Sequence, residues 1–181
     1  MTQRLFGTDG IRGAAGKFPL DKPTVIRIGA ALVRSSGKDH LTKSVVIGRD
    51  TRESSQWIEH ALAVGAAAEG ARVTSIGVAP TPAVAFLASS GGFDAGVVIS
   101  ASHNPYEDNG IKIFSSGGFK LNDQRETVLA KVIFDDSWST PGAGSAPVVA
   151  SDLLSLYLQH VRSVLPDPTG LGPMRLAVDC A

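Results

Sequence analysis

Chemistry is concentrated in one stretch of the sequence, Ile99-Ser100-Ala101-Ser102-His103-Asn104-Pro105, followed closely by Asn109-Gly110-Ile111-Lys112. The apolar run Ala95-Gly96-Val97-Val98-Ile99 leads into it and reads as a buried strand. A serine at the carboxyl end of such a strand stands where α/β proteins place ligands, so Ser102 can act as a nucleophile or carry a phosphoryl group. It can equally be a capping or turn serine. His103 can orient the site or bond a phosphate oxygen. Asn104 can donate its amide there, or close an Asx-turn before Pro105. Asn109-Gly110 reads as a turn. Lys112 lies between Ile111 and Ile113, and lysine is seldom buried without a partner. It either sits on a solvated edge or points into the site as a cation and proton donor.

Two further segments carry charge at strand or turn positions. Phe6-Gly7-Thr8-Asp9-Gly10-Ile11-Arg12-Gly13 has glycines that let a backbone approach an anion, and an arginine able to bind phosphate through two donors. It is not a Walker A loop, because Gly-Lys-Ser/Thr is missing. In Gly48-Arg49-Asp50-Thr51-Arg52, Arg49 and Arg52 would enlarge an anion site, and Asp50 could fix an arginine. A surface salt bridge is the plainer reading. Ser102 lacks the Gly-x-Ser-x-Gly elbow, which argues against a serine hydrolase.

The elements that must hold these residues alternate. Helices are expected over 24–34, 56–68, 81–88, 122–134 and 151–165, with Pro23 in the first turn, Ser54 or Ser55 as a cap and Asn122 as another. Strands are expected over 44–50, 72–78, 94–100, 111–114 and 174–181. Their continuous apolar runs predict a parallel sheet covered on both faces, with right-handed crossovers. Residues 137–147, rich in Ser, Pro and Gly, read as a linker. The expected organisation is therefore a domain over 1–138, a linker over 139–150, and the start of a second domain over 151–181. The closing helix and strand are expected to be the front of a longer protein.

Lysine plus arginine and aspartate plus glutamate number 17 each, so the net charge is zero. That argues against a broad nucleic-acid or membrane surface. Cys180 is the single cysteine, which excludes an internal disulfide and a cysteine metal site and fits a reducing cytosol. No apolar signal core opens the chain, and no apolar run reaches the ~20 residues of a membrane span.

Taken in order, these motifs with Pro80-Thr81-Pro82-Ala83 resemble the α-D-phosphohexomutase superfamily over about the first 135 residues. The closest likeness is to its phosphoglucosamine mutase branch. The resemblance implies a three-layer α/β/α first domain with a mainly parallel mixed sheet, and a cytoplasmic enzyme that interconverts glucosamine 6-phosphate and glucosamine 1-phosphate through a phosphoserine. It implies that Ser102 carries the phosphate, Lys112 serves as general acid/base, and Arg12 lines the site with His103, Asn104, Arg49 and Thr8. It implies Mg²⁺, with the Ser102 phosphate as one ligand, although the family's metal, sugar and phosphate loops of later domains do not occur here. The implied partner is a phosphorylated hexosamine, and a homodimer is left open. The alternatives are a phosphomannomutase/phosphoglucomutase and a non-catalytic phosphate-binding module.

Overall fold

A computed structural model describes residues 5–36, 44–140, 148–150, 152–164, 167 and 172–178. The order of elements is β1 (Ile11–Ala14), α1 (Lys22–Arg34), β2 (Ser44–Arg49), α2 (Glu53–Ala68), β3 (Arg72–Val78), α3 (Thr81–Ser90), β4 (Ala95–Ile99), β5 (Asp108–Ser115), α4 (Asp123–Ile133), β6 (Val148–Ala150) and α5 (Leu154–Ser163). The strands form one sheet in the order β1-β5-β4-β2-β3-β6. Strands β4, β2, β3 and β6 pair in parallel; β5 is antiparallel to β4, and β1 to β5. The expected three-layer α/β/α architecture with a mainly parallel mixed sheet is what is found.

Strand pleating explains why the runs are apolar without alternation. Val45, Ile47, Val97, Ile99, Ile111 and Ile113 pack into one core with α1, α2 and α4. Val46, Val98 and Phe114 project the other way, into a second core with α3. Helices α1 and α2 touch backbone to backbone. A Cβ on Gly29 would collide with the Leu62 carbonyl, and one on Gly65 with the Ile26 carbonyl.

The helix starts are set locally. Asp21 caps α1 by accepting from the Thr24 N–H at 3.1 Å, with Pro23 in the first turn, and Asn122 caps α4 by accepting from the Arg125 N–H at 3.0 Å. Neither Ser54 nor Ser55 caps α2, which begins at Glu53; the Ser55 hydroxyl instead donates to Asp50 at 2.6 Å.

Other differences have physical reasons. Asn109-Gly110 is no turn but the interior of β5, because β1, a strand the sequence did not signal, pairs with it (Arg12 opposite Gly110, Gly13 opposite Asn109). Buried Asn109 finds its partners in Ser54 and Ser55, both at 2.9 Å. Part of the expected linker is β6, which satisfies the edge of β3; residues 141–147 lie outside the described residues. Residues 174–178 are exposed and belong to no strand, and 179–181 lie outside the described residues. Helix α5 packs on α3, with Tyr157 and Phe86 ring centroids 5.9 Å apart.

Candidate active site

Residues 100–107 connect the antiparallel neighbours β4 and β5, and Ser102 sits near the start of this connection. It is the non-glycine residue in the left-handed region among the described residues, with φ of 57°. Such a backbone costs about 1–3 kcal/mol and persists only where its surroundings impose it. Both of its peptide groups are held: its N–H donates to Ser100 Oγ at 3.0 Å, and its carbonyl accepts from Arg52 Nη2 at 2.9 Å. The side chain is exposed, and its Oγ lies 3.4 Å from Nδ1 of exposed His103. A fixed backbone thus presents an exposed hydroxyl beside the His103 ring.

Two cations stand on one face of the sheet beside it. Ile111 and Ile113 point into the α1-α2-α4 core, so Lys112 points to the opposite face, shared with Arg12 on the paired strand. Lys112 Nζ reaches Asp9 Oδ2 at 2.8 Å, and Arg12 Nη2 bonds the same oxygen. Arg12 Nη1 donates to the Ala101 carbonyl at 3.2 Å and to Asn104 Oδ1 at 3.0 Å. Its buried Nε–H has no protein partner. Asp9 can lie here because Gly10 follows it at φ of 89° against the Ile111 carbonyl, a contact no Cβ would permit. Burial pushes the Asp9 carboxyl up, but the hydrogen bonds and charges of Lys112 and then Arg12 overcome this and hold it below its ordinary value.

Asn104 donates from Nδ2 to Asp108 Oδ2 at 3.1 Å, so it braces the connection at both ends. Thr8 is exposed and lines an open depression of about 500 Å³ with Asp9 and Arg12. Arg49 does not join the cluster: its Nε is committed to Glu59 of α2 at 2.9 Å, and Glu59 also accepts from Ser75. Through Nε, Arg49 is thus a tie from β2 to α2 and, by way of Glu59 and Ser75, to β3. A depression of about 310 Å³, lined by Ser35, Asp94, Ser115 and Arg125, belongs to the other end of β4.

Sequence reasoning undervalued Asp9, Asp50 and Arg52. Asp50 accepts from the Arg52 N–H at 3.1 Å and Arg52 Nε at 3.0 Å, and from Ser55 at 2.6 Å. Burial raises its pKa, but hydrogen bonds from Ser55, the Arg52 N–H and Ser100, with the Arg52 charge, bring it below the ordinary aspartate value. The signal was the Asp-x-Arg spacing after a strand, which suits an Asx-turn at a helix entrance.

The profile of one protein family, "Phosphoglucomutase/phosphomannomutase, alpha/beta/alpha domain I", matches residues 3–139. The chain belongs to this family. Among curated phosphoglucomutase/phosphomannomutase relatives, the phosphoglucosamine mutase of Solibacter usitatus is 45% identical over 187 residues, 99% of this chain and 40% of that protein. That of Deinococcus radiodurans is 44% identical over 185 residues, 100% of this chain and 41% of that protein. The chain thus spans about 40% of the length of the curated relatives it matches. A phosphoglucomutase/phosphomannomutase family protein from Burkholderia thailandensis superposes with a TM-score of 0.71 at 34% identity, over 90% of this chain and 36% of that one. The Paramecium phosphoglucomutase pp63/parafusin shares the fold at a TM-score of 0.71 and 17% identity, over 91% of this chain and 35% of that one.

Proposed function

We propose that this chain is the phosphoserine-bearing N-terminal part of a phosphoglucosamine mutase, a cytoplasmic isomerase that interconverts glucosamine 6-phosphate and glucosamine 1-phosphate. The observation that carries the reading is a solvent-facing Ser102 hydroxyl on a turn pinned at both peptide groups, with Arg12 bonding that turn and Lys112 sharing its Asp9 partner. The names of the relatives at 44–45% identity support the substrate. No described helix is long and apolar enough to cross a membrane. The division into a domain over 1–138, a linker and the start of a second domain belongs to the same proposal.

In the forward step a sugar hydroxyl attacks the phosphorus on Ser102. The new P–O(sugar) bond forms as the P–Oγ bond breaks. The sugar proton passes, through Lys112, to the departing serine oxygen. Such transfers depend on positioning and charge stabilisation. Arg12 supplies the charge: its Nη1 is spent on the turn, while its buried Nε–H is free of protein partners. The bisphosphorylated sugar then turns over and returns its other phosphoryl group to Ser102.

The residues present do not by themselves make a magnesium site. Among the described residues no three histidine, cysteine or carboxylate side chains cluster to hold a metal. Near Ser102, Asp9 is committed to Lys112 and Arg12, and Asp50 to Arg52 and Ser55.

The test is turnover by the complete gene product on a panel of hexose and hexosamine phosphates. Glucosamine 6-phosphate is expected to be the preferred substrate, and Ser102→Ala to show no turnover. Preference for mannose or glucose phosphates would favour the phosphomannomutase/phosphoglucomutase reading, and an active Ser102→Ala enzyme would refute the phosphoserine. A non-catalytic phosphate-binding module would show no substrate-removable phosphate on Ser102 by intact mass.

A further inference from the structure

Arg52 is unusual in how completely it is spent. Its guanidinium has five N–H donors. Nε donates to Asp50 at 3.0 Å, Nη1 to the carbonyls of Pro105 at 2.6 Å and Asp108 at 3.2 Å, and Nη2 to those of Ser102 and Asn104, both at 2.9 Å. Every donor faces protein, so none remains to bind a phosphate. The group is also mostly covered, with 12% of the side chain exposed. It reaches across from the entrance of α2 to carbonyls spread over the whole 102–108 connection. Those carbonyls carry partial negative charge and point inward at one spot, an arrangement that needs a cation with several directed donors.

The clamp has a fixed base. Asp50 holds Arg52 by both Nε and the backbone N–H, and its own N–H donates to the Ile99 carbonyl at 2.9 Å. Next to this base, Ser100 Oγ accepts the Ser102 N–H at 3.0 Å. Thus the N–H of Ser102 is held by Ser100, and its carbonyl is tied to Asp50 through Arg52. A residue at φ of 57° is held from both sides, at its N–H by Ser100 and at its carbonyl by the Arg52–Asp50 pair.

We propose that Arg52 is the positioning residue that sets the Ser102 hydroxyl for phosphoryl transfer, acting through the carbonyls of the 102–108 connection and never through the phosphate. This rests on the mutase reading. Without the guanidinium, four inward carbonyls lose their donor, the left-handed Ser102 relaxes, and the phosphoryl group shifts relative to Arg12 and Lys112. A misplacement of about 1 Å in a transfer site costs about 100-fold in rate. Lysine cannot substitute, because one ammonium cannot meet carbonyls placed along a planar fork.

The test uses the complete gene product with Arg52→Lys and Arg52→Ala. The expected results for Arg52→Lys are a kcat about 100-fold lower, KM for the sugar phosphate within about twofold, and a Ser102 amide order parameter falling from about 0.85 to below about 0.6. In Arg52→Ala, added guanidinium ion is expected to restore part of kcat while leaving the wild-type rate unchanged. If Arg52→Ala fails to fold by circular dichroism, Arg52→Lys decides. A purely structural role would lower the folded fraction but leave kcat per folded molecule and the Ser102 order parameter intact, and that outcome overturns the proposal. So would a KM rise with unchanged kcat, the mark of a direct phosphate ligand. Full turnover by Ser102→Ala would instead sink the mutase reading, and the order parameter would still decide whether Arg52 fixes the connection.

Discussion

Lys112 and Asp50 are held by different contacts, and they are expected to respond differently to substitution. Lys112→Met leaves Asp9 still paired with Arg12, and Asp9 is 45% exposed, so the loss of stability is expected to stay under about 1 kcal/mol. A lost proton relay lowers kcat by about 10²–10⁴-fold. Kinetics and thermal unfolding on the same preparation separate the two, and parallel losses would count against a proton-transfer role. Asp50 is lowered in the folded state, so its unfolded form binds a proton first as pH falls. Its contribution is fully present above the ordinary aspartate value and is lost as pH drops through the lowered folded value. Denaturant unfolding between pH 7 and pH 3 is expected to show this acid loss, and Asp50→Asn to flatten it. Asp9 is shifted the same way, but its exposure makes its share smaller. Ser102, Lys112 and Arg12 were legible as residue types at particular spacings. Arg49 and Arg52 looked alike in sequence and have opposite fates, because which arginine faces Glu59 and which faces the 102–108 carbonyls depends on the turn between β2 and α2.

At the scale of elements, the pairing of α1 with α2 decides where β2 and the entrance of α2 lie, and hence where Arg52 stands. Gly65→Ala raises helix propensity by about 1 kcal/mol. The added Cβ meets the Ile26 carbonyl, which is backbone and cannot swing aside. Overpacking costs about 1–3 kcal/mol, so the net expectation is destabilisation by about 1 kcal/mol, read by chemical denaturation. A stabilised variant would show that α1 and α2 can move apart freely. The central strands and α1, α3 and α4 were readable because their signals are local: apolar runs, Pro23 and Pro82 in first turns, and the Asn122 cap. Strand β1 was not, because Ile11–Ala14 has no strand pattern of its own and exists by pairing with β5. For the same reason Asn109-Gly110 misleads: its turn propensity is overridden by a partner strand and by Ser54 and Ser55.

For the molecule as a whole, the decisive property is that Ser102 and His103 are exposed and the depression beside Arg12 is open. Phosphoryl transfer between sugars needs water kept from the phosphoserine. The 181-residue chain alone is therefore expected to show no mutase turnover in a coupled assay for glucosamine 1-phosphate. Measurable turnover would mean that the site closes without further chain. Sequence alone determined the layered α/β class and the family resemblance, and it marked Ser102, Arg12 and Lys112 as candidates, because apolar periodicity and a dense motif are properties of neighbouring residues. Only the tertiary structure decided that Asp9 joins Arg12 to Lys112, that Arg49 is a tie to Glu59, and that Arg52 holds the Ser102 connection. Apart from Asp9–Arg12, which is local, those are contacts between residues about 10 to 100 positions apart, and which partner each charge meets is fixed by strand register and helix packing.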